Sequence, residues 1–216
     1  MVKTLKMMET LLNPLVPSYL ASASVASLAR FSFFTKPITS QQPVMEYSLV
    51  DAYNYIKSGI SSMATAKCRA LPMEERPDFK KYNFDFCTFS GLFIQRKTEK
   101  LIRHSFLVCF DFDHLKDVEA VGLTLLSDPY FETLLLFRSP SGDGLKWVVS
   151  MEQNYTNRER FFPAETPASY HPLFFYAVQH YLRNTYSLEV DEKCKDVARA
   201  CLLPFDPQAY INPSLL

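Results

Sequence analysis

Neither sign of charge is in excess in this chain: Lys+Arg and Asp+Glu both number 23, so no global field advertises nucleic acid. No apolar run approaches the ~20 residues that a membrane-spanning helix needs, and no membrane partner is expected. Cysteine is sparse, and its five positions (Cys68, Cys87, Cys109, Cys194, Cys201) form no CxxC and no Cys/His metal spacing. An odd count without a framework points to a reducing, cytoplasmic setting. Cys109 and Cys201 lie in apolar runs and read as small core residues. No secretory signal is expected either, because Pro14 and Pro17 interrupt the apolar stretch that such a signal requires. Internal repeats, low-complexity tracts and a Walker phosphate loop are all lacking.

What remains is a strongly apolar composition. A hydrophobic fraction of 48% with 14% aromatics, over 216 residues, suffices for one sizeable core and argues for a folded globule. Charge is uneven locally. From Lys67 to Arg103 nine Lys/Arg stand against five Asp/Glu, with Phe79, Tyr82, Phe84, Phe86 and Phe89 interleaved. That mixture suits a polyanion with stackable bases, and equally a solvated rim over a core strand. Residues 1–43 read differently. Met1 to Ser40 holds a single acid, Glu9, with an Ala/Ser-rich run from Ala21 to Ala29. A poorly ordered N-terminal extension is therefore expected over 1–43, and a folded domain over 44–213.

Periodicity sets out the elements. Leu49, Ala52, Tyr53 and Ile56 share one face of a helix over 47–57, with Ser48 and Asp51 in capping-box positions. A second helix is expected over 64–73, punctuated by Pro72 and Pro77, and further helices over 116–126 and 170–186. Alternating or continuous apolar runs predict strands over 84–90, 105–112, 133–138, 145–151 and 198–205, with a turn or bulge at Gly91. Strands and helices interleave around a central hairpin, so the expected class is α+β, a mixed β-sheet with flanking helices.

Two segments carry chemistry. In Val108-Cys-Phe-Asp-Phe-Asp113 the acids lie two apart on a strand, so Asp111 and Asp113 project together while Phe110 and Phe112 face the other way. Carboxylates are costly to bury unless paired or holding metal, and two on one face can share divalent ions about 3.5–4 Å apart. The plainer alternative is that Asp113 caps the helix that follows. Ser139-Pro-Ser-Gly-Asp-Gly144 then leads into Lys146. It reads as a hairpin turn, or as a cradle in which Ser139, Ser141 and the N–H groups flexed by Gly142 and Gly144 meet phosphate while Lys146 supplies a point charge. Downstream, Asp191 closes a short apolar approach, and Asp196 and Arg199 stand at i, i+3, either as a surface ion pair or with Arg199 reaching substrate phosphate. Haloacid-dehalogenase-like phosphatases also open on an apolar strand and DxD, but usually place Thr or Val just beyond the second acid, where this chain has His114 and Leu115.

The order DxD, then Ser-x-Ser-Gly-x-Gly-x-Lys, then Asp-x4-Asp-x2-Arg before a strand and Asp-Pro resembles the BT4734-like/VirE N-terminal family, a branch of the archaeo-eukaryotic primase (primase-polymerase) superfamily. Phe89-Ser-Gly-Leu-Phe93, preceded by Lys80-Lys81, resembles the segment that this family carries before its acidic strand, and the likeness covers about residues 44 to 213. The resemblance implies an RRM-like primase-polymerase catalytic core. It also implies a nucleotidyltransferase that binds single-stranded DNA and NTPs or dNTPs with Mg²⁺ or Mn²⁺, in replication of a mobile element or phage-like genome. Carried over residue by residue, Asp111, Asp113 and Asp191 would be the catalytic metal acids, with Asp196 the other candidate for the third. Ser139, Ser141, Gly142, Gly144 and Lys146 would face the triphosphate, and Arg199 would contact phosphate or support Asp191. Many superfamily members carry His where Lys146 stands. A separate replicative helicase is the further partner implied. The alternative expectation is a catalytically inactive nucleic-acid-binding accessory module with the same fold, favoured by the neutral net charge and by a chain ending at Leu216, just past the primase-like region.

Overall fold

The computed structural model describes residues 26–159, 162 and 165–216. Strands β1 (Phe31–Phe34), β2 (Met45–Tyr47), β3 (Phe86–Thr88) and β9 (Cys201–Leu202) make one sheet in the order β2-β1-β3-β9. Strands β6 (Leu107–Phe112), β7 (Leu135–Arg138), β8 (Leu145–Ser150) and β10 (Tyr210–Ile211) make a second in the order β10-β7-β8-β6. A separate hairpin joins β4 (Gly91–Phe93) to β5 (Leu101–His104).

The class is α+β as expected, but the single mixed sheet is not what forms. Every strand pairing among the described residues is antiparallel. The reason lies in the crossover. β6 passes through helix α4 (Val118–Leu126) to β7, and these two strands run the same way, yet β8 folds back from the Ser139–Gly144 turn and inserts between them. The crossover strands never become neighbours, so both of them pair antiparallel with β8.

Alternation along β6 to β8 builds two cores. Val108, Phe110, Phe112, Leu136, Leu145, Trp147 and Val149 turn to one face, where α4 and the long helix α6 (Pro167–Tyr186) cover them through Val118, Leu125, Phe174, Phe175, Val178 and Leu182. Leu107, Leu135, Phe137 and Val148 turn to the other face and meet Phe31, Phe33, Cys87, Phe89 and Cys201 of the first sheet region. Helix α1 (Leu49–Lys57) closes that second core with Leu49, Ala52 and Ile56, and its predicted capping box between Ser48 and Asp51 is present. Helix α2 is Ser62–Ala70, overlapping the expected 64–73 but starting two residues earlier and ending three residues earlier.

Two further expectations are corrected. Residues 31–34 belong to the sheet, not to a poorly ordered extension: β1 is fully buried and pairs with β2 and β3, because Phe31, Phe33 and Phe34 bring three aromatic side chains to the interior. Residues 26–43 of that expectation are all described, and only its residues 1–25 lie outside the described residues. Helix α3 (Arg76–Asn83) follows α2, with Pro77 in its first turn, where a missing N–H costs nothing, and not as a terminator. Helix α5 (Glu152–Glu159) was not legible either, since its first turns carry mostly polar side chains.

Candidate active site

Asp111 is the fifth residue of β6 and Lys146 the second of β8, and the ladder register sets them directly opposite one another. Both side chains point toward the first sheet, on the face shared with Cys109 and Val148. Lys146 Nζ forms a buried ion pair with Asp111 Oδ2, while Asp111 Oδ1 is buried with no hydrogen-bond partner. Burial lifts the Asp111 carboxyl above its ordinary value, and the Lys146 charge works against that rise. Burial likewise opposes the Lys146 charge, but the Asp111 carboxylate outweighs it and holds the lysine above its usual value.

Gly144 makes this approach possible. A Cβ there would lie 2.2 Å from the Phe112 carbonyl oxygen and 3.1 Å from Ser139 Oγ, so only glycine lets β8 start against the end of β6.

The third acid comes from the far end of the chain. The Asp191 N–H donates to the Asp111 carbonyl at 2.9 Å, which ties the segment after α6 to β6. The Asp191 carboxylate accepts from Arg199 Nη2 at 2.7 Å and from the Lys193 N–H at 3.1 Å, capping the 3-10 turn Glu192–Lys195. Cys194 in that turn reaches back toward the acids. Ligand atoms of Asp111, Asp191 and Cys194 all lie within 4.8 Å of one another. Burial pushes the Cys194 thiol up to about 12. A small pocket opens here, lined by Asp111, Lys146, Cys194 and Arg199 together with Phe89, Ser90, Cys109, Ala200 and Cys201.

Behind the turn sits a buried histidine pair. The Phe106 N–H donates to His104 Nδ1 at 2.9 Å, His104 Nε2 lies 3.1 Å from His171 Nδ1, and His171 Nε2 lies 3.4 Å from the Cys194 carbonyl. Because His104 Nδ1 accepts, its Nε2 carries the proton and donates to His171 Nδ1, leaving His171 Nε2–H to donate to Cys194. Burial drives both imidazoles toward the neutral form, His104 down to about 3 and His171 to about 4.

The predicted site residues therefore divide. Asp111, Lys146 and Arg199 line one pocket, and Asp191, outside that lining, joins them through its ion pair with Arg199 and its cluster with Asp111 and Cys194. Asp113 does not join them: it lies past the end of β6, exposed, and outside the three-donor cluster, though close enough to raise Asp111. Nor does it cap α4, whose N-cap is Asp117. Asp196 turns away and accepts from Thr98 and the Ala198 N–H, so Arg199 pairs with Asp191 instead of Asp196. The turn residues are engaged elsewhere than the pocket lining. Ser141 Oγ accepts from Lys80 Nζ of α3 at 3.2 Å, and Gly142, at φ 84°, packs on Arg69 of α2. Arg69 Nη2 donates to the Ser139 carbonyl, while Ser139 Oγ is buried without a partner.

Sequence reasoning missed Cys194, the histidine pair, Arg69 and the turn contact of Lys80. The one available signal was the i, i+3 spacing of Asp191 and Cys194 within a short polar stretch, which a single 3-10 turn brings to one side.

No curated protein and no solved structure matches this chain. A family model does, over residues 79–211, which takes in β6, β8 and the Asp191–Arg199 segment but leaves out β1, the strand that pairs with β3. With more than half of its length matched, the chain belongs to the BT4734-like N-terminal domain family.

Proposed function

We propose that this domain is a primase-polymerase-type nucleotidyltransferase, joining nucleoside triphosphates on a single-stranded DNA template with a divalent metal, in replication of a mobile element or phage-like genome. The observation that carries this reading is the cluster beside the pocket in which two carboxylates, Asp111 and Asp191, meet two cations, Lys146 and Arg199. The carboxylates fit a divalent ion: Asp111 Oδ1 is a buried acceptor with nothing to accept from. A bound ion would lower the pKa of an attacking 3′-hydroxyl and offset charge on the leaving pyrophosphate. Lys146 and Arg199 then neutralise phosphate oxygens, and catalysis rests on positioning and electrostatics, with few protein groups needed. The β6-α4-β7 crossover with β8 between its strands is consistent with an RRM-like core, and Asp111 sits on β6, at the edge of that sheet and opposite Lys146 of β8.

The test is primer synthesis on a single-stranded template with Mg²⁺ or Mn²⁺. Asp111→Asn is expected to abolish it, and unchanged synthesis in that variant would remove the catalytic assignment. One observation favours a second reading, a non-catalytic nucleic-acid-binding accessory module: each acid already has a cation of its own, Asp111 with Lys146 and Asp191 with Arg199. Single-stranded DNA binding with no metal or nucleotide uptake would select that reading.

A further inference from the structure

The donor set of this pocket is not the all-oxygen set that Mg²⁺ prefers. We propose that Cys194 is the third protein ligand and that the site takes a thiophilic divalent ion of the Zn²⁺ kind in preference to Mg²⁺. The inference rests on the reading of Asp111 and Asp191 as metal acids. It begins from the three-donor cluster, whose ligand atoms lie within 4.8 Å of one another. The second observation is independent of it: Asp111 is 7% exposed, and its Oδ1 has no partner. Lys146 holds Oδ2 of the same carboxylate, so Oδ1 can ligate without breaking the ion pair.

Ligand softness then decides the ion. Mg²⁺ demands oxygen ligands in octahedral array and keeps its waters, so a thiolate offers it little. Zn²⁺ accepts carboxylate and thiolate together, and three protein ligands with one open position is the pattern of its catalytic sites. Ligation requires the thiolate, so the Cys194 proton leaves to solvent as the ion binds. Two positive charges arrive and one proton departs. The pocket, with Lys146 and Arg199 beside it, gains net positive charge suited to an anionic substrate.

The experiment is titration of the whole chain with Co²⁺, a spectroscopic stand-in for Zn²⁺, at neutral pH without nucleotide. Two signals are followed, the near-ultraviolet thiolate-to-cobalt charge-transfer band and the protons released. The expected result is a saturable band, one proton released per ion, displacement by Zn²⁺ but not by excess Mg²⁺, and no band in Cys194→Ser. Asp191→Asn should weaken binding by about tenfold or more while the band remains at saturation, and it serves where Cys194→Ser fails to fold. Cobalt bound without the band, a band that survives Cys194→Ser, or ready displacement by Mg²⁺ would each overturn the proposal. Its failure is separable from that of the nucleotidyltransferase reading. Primer synthesis with Mg²⁺ and no cobalt band removes only the thiolate site, whereas the band without any synthesis leaves it standing.

Discussion

Mild acid should unfold this protein through His104 and His171. Both imidazoles are buried, and burial holds them neutral, with folded values of about 3 and 4. Unfolded histidine titrates near 6.5. Between these values the unfolded chain binds protons that the folded chain refuses, so unfolding becomes easier as pH falls. The penalty is absent above about pH 6.5, grows through pH 5, and levels off only below the folded values. At pH 5 each group is about 1.5 units below its unfolded value, and at about 1.36 kcal/mol per unit the pair costs about 4 kcal/mol. The size of this figure does not depend on the folded values, provided both lie well under 5. The hydrogen-bond chain explains the resistance: a proton added at His171 Nδ1 would face the N–H of His104 at 3.1 Å, donor against donor.

Urea denaturation reads this directly, because the chain has one tryptophan and Trp147 is fully buried. With a slope of about 2 kcal/mol/M, moving from pH 7.5 to 5 should lower the midpoint by about 2 M. A His104→Gln/His171→Gln double variant, which hydrogen-bonds without titrating, should lose most of that dependence even if it begins less stable. A wild-type midpoint that stays flat across this range would refute the reasoning, as would a double variant with the full slope.

Two other perturbations test the Asp111 region. Lys146→Met leaves a buried carboxylate without its cation and should cost about 3–5 kcal/mol in urea denaturation at neutral pH, with much of the loss recovered when Asp111→Asn is added. Gly144→Ala drives a Cβ to 2.2 Å from the Phe112 carbonyl, and a loss of about 1–3 kcal/mol is expected in thermal melts.

Much of this arrangement was legible where one local rule decided the outcome. The capping box at Ser48 and Asp51, the alternation that sends Phe110 and Phe112 to one face and Asp111 to the other, and the six-residue turn into Lys146 all follow from spacing alone. Where two local rules compete, sequence alone does not choose between them. Pro77 looked like a terminator because proline breaks helices, yet in a first turn it starts one. Phe31–Phe34 was submerged in an acid-poor, Ser/Ala-rich neighbourhood whose composition says nothing about a four-residue strand. The single mixed sheet followed from alternating strands and helices, but whether a later strand inserts between two crossover strands is a tertiary choice.

The candidate site shows the same boundary at closer range. Asp111 and Asp113 share a face only while the strand lasts, and β6 ends at Phe112, so the period-2 argument applies to the first acid and lapses at the second. What replaces Asp113 beside Asp111 is brought by long-range packing. The Asp191 N–H bonds the Asp111 carbonyl, and His171 on α6 holds the Cys194 carbonyl of the same turn. Two anchors from separate elements thus fix one short 3-10 turn against β6, and the spacing of Asp191 and Cys194 then brings a carboxylate and a thiol together at Asp111. A motif reading looks for a second acid next to the first along the chain. Here the fold supplies the second acid, and with it a sulfur, from about 80 residues further along the chain.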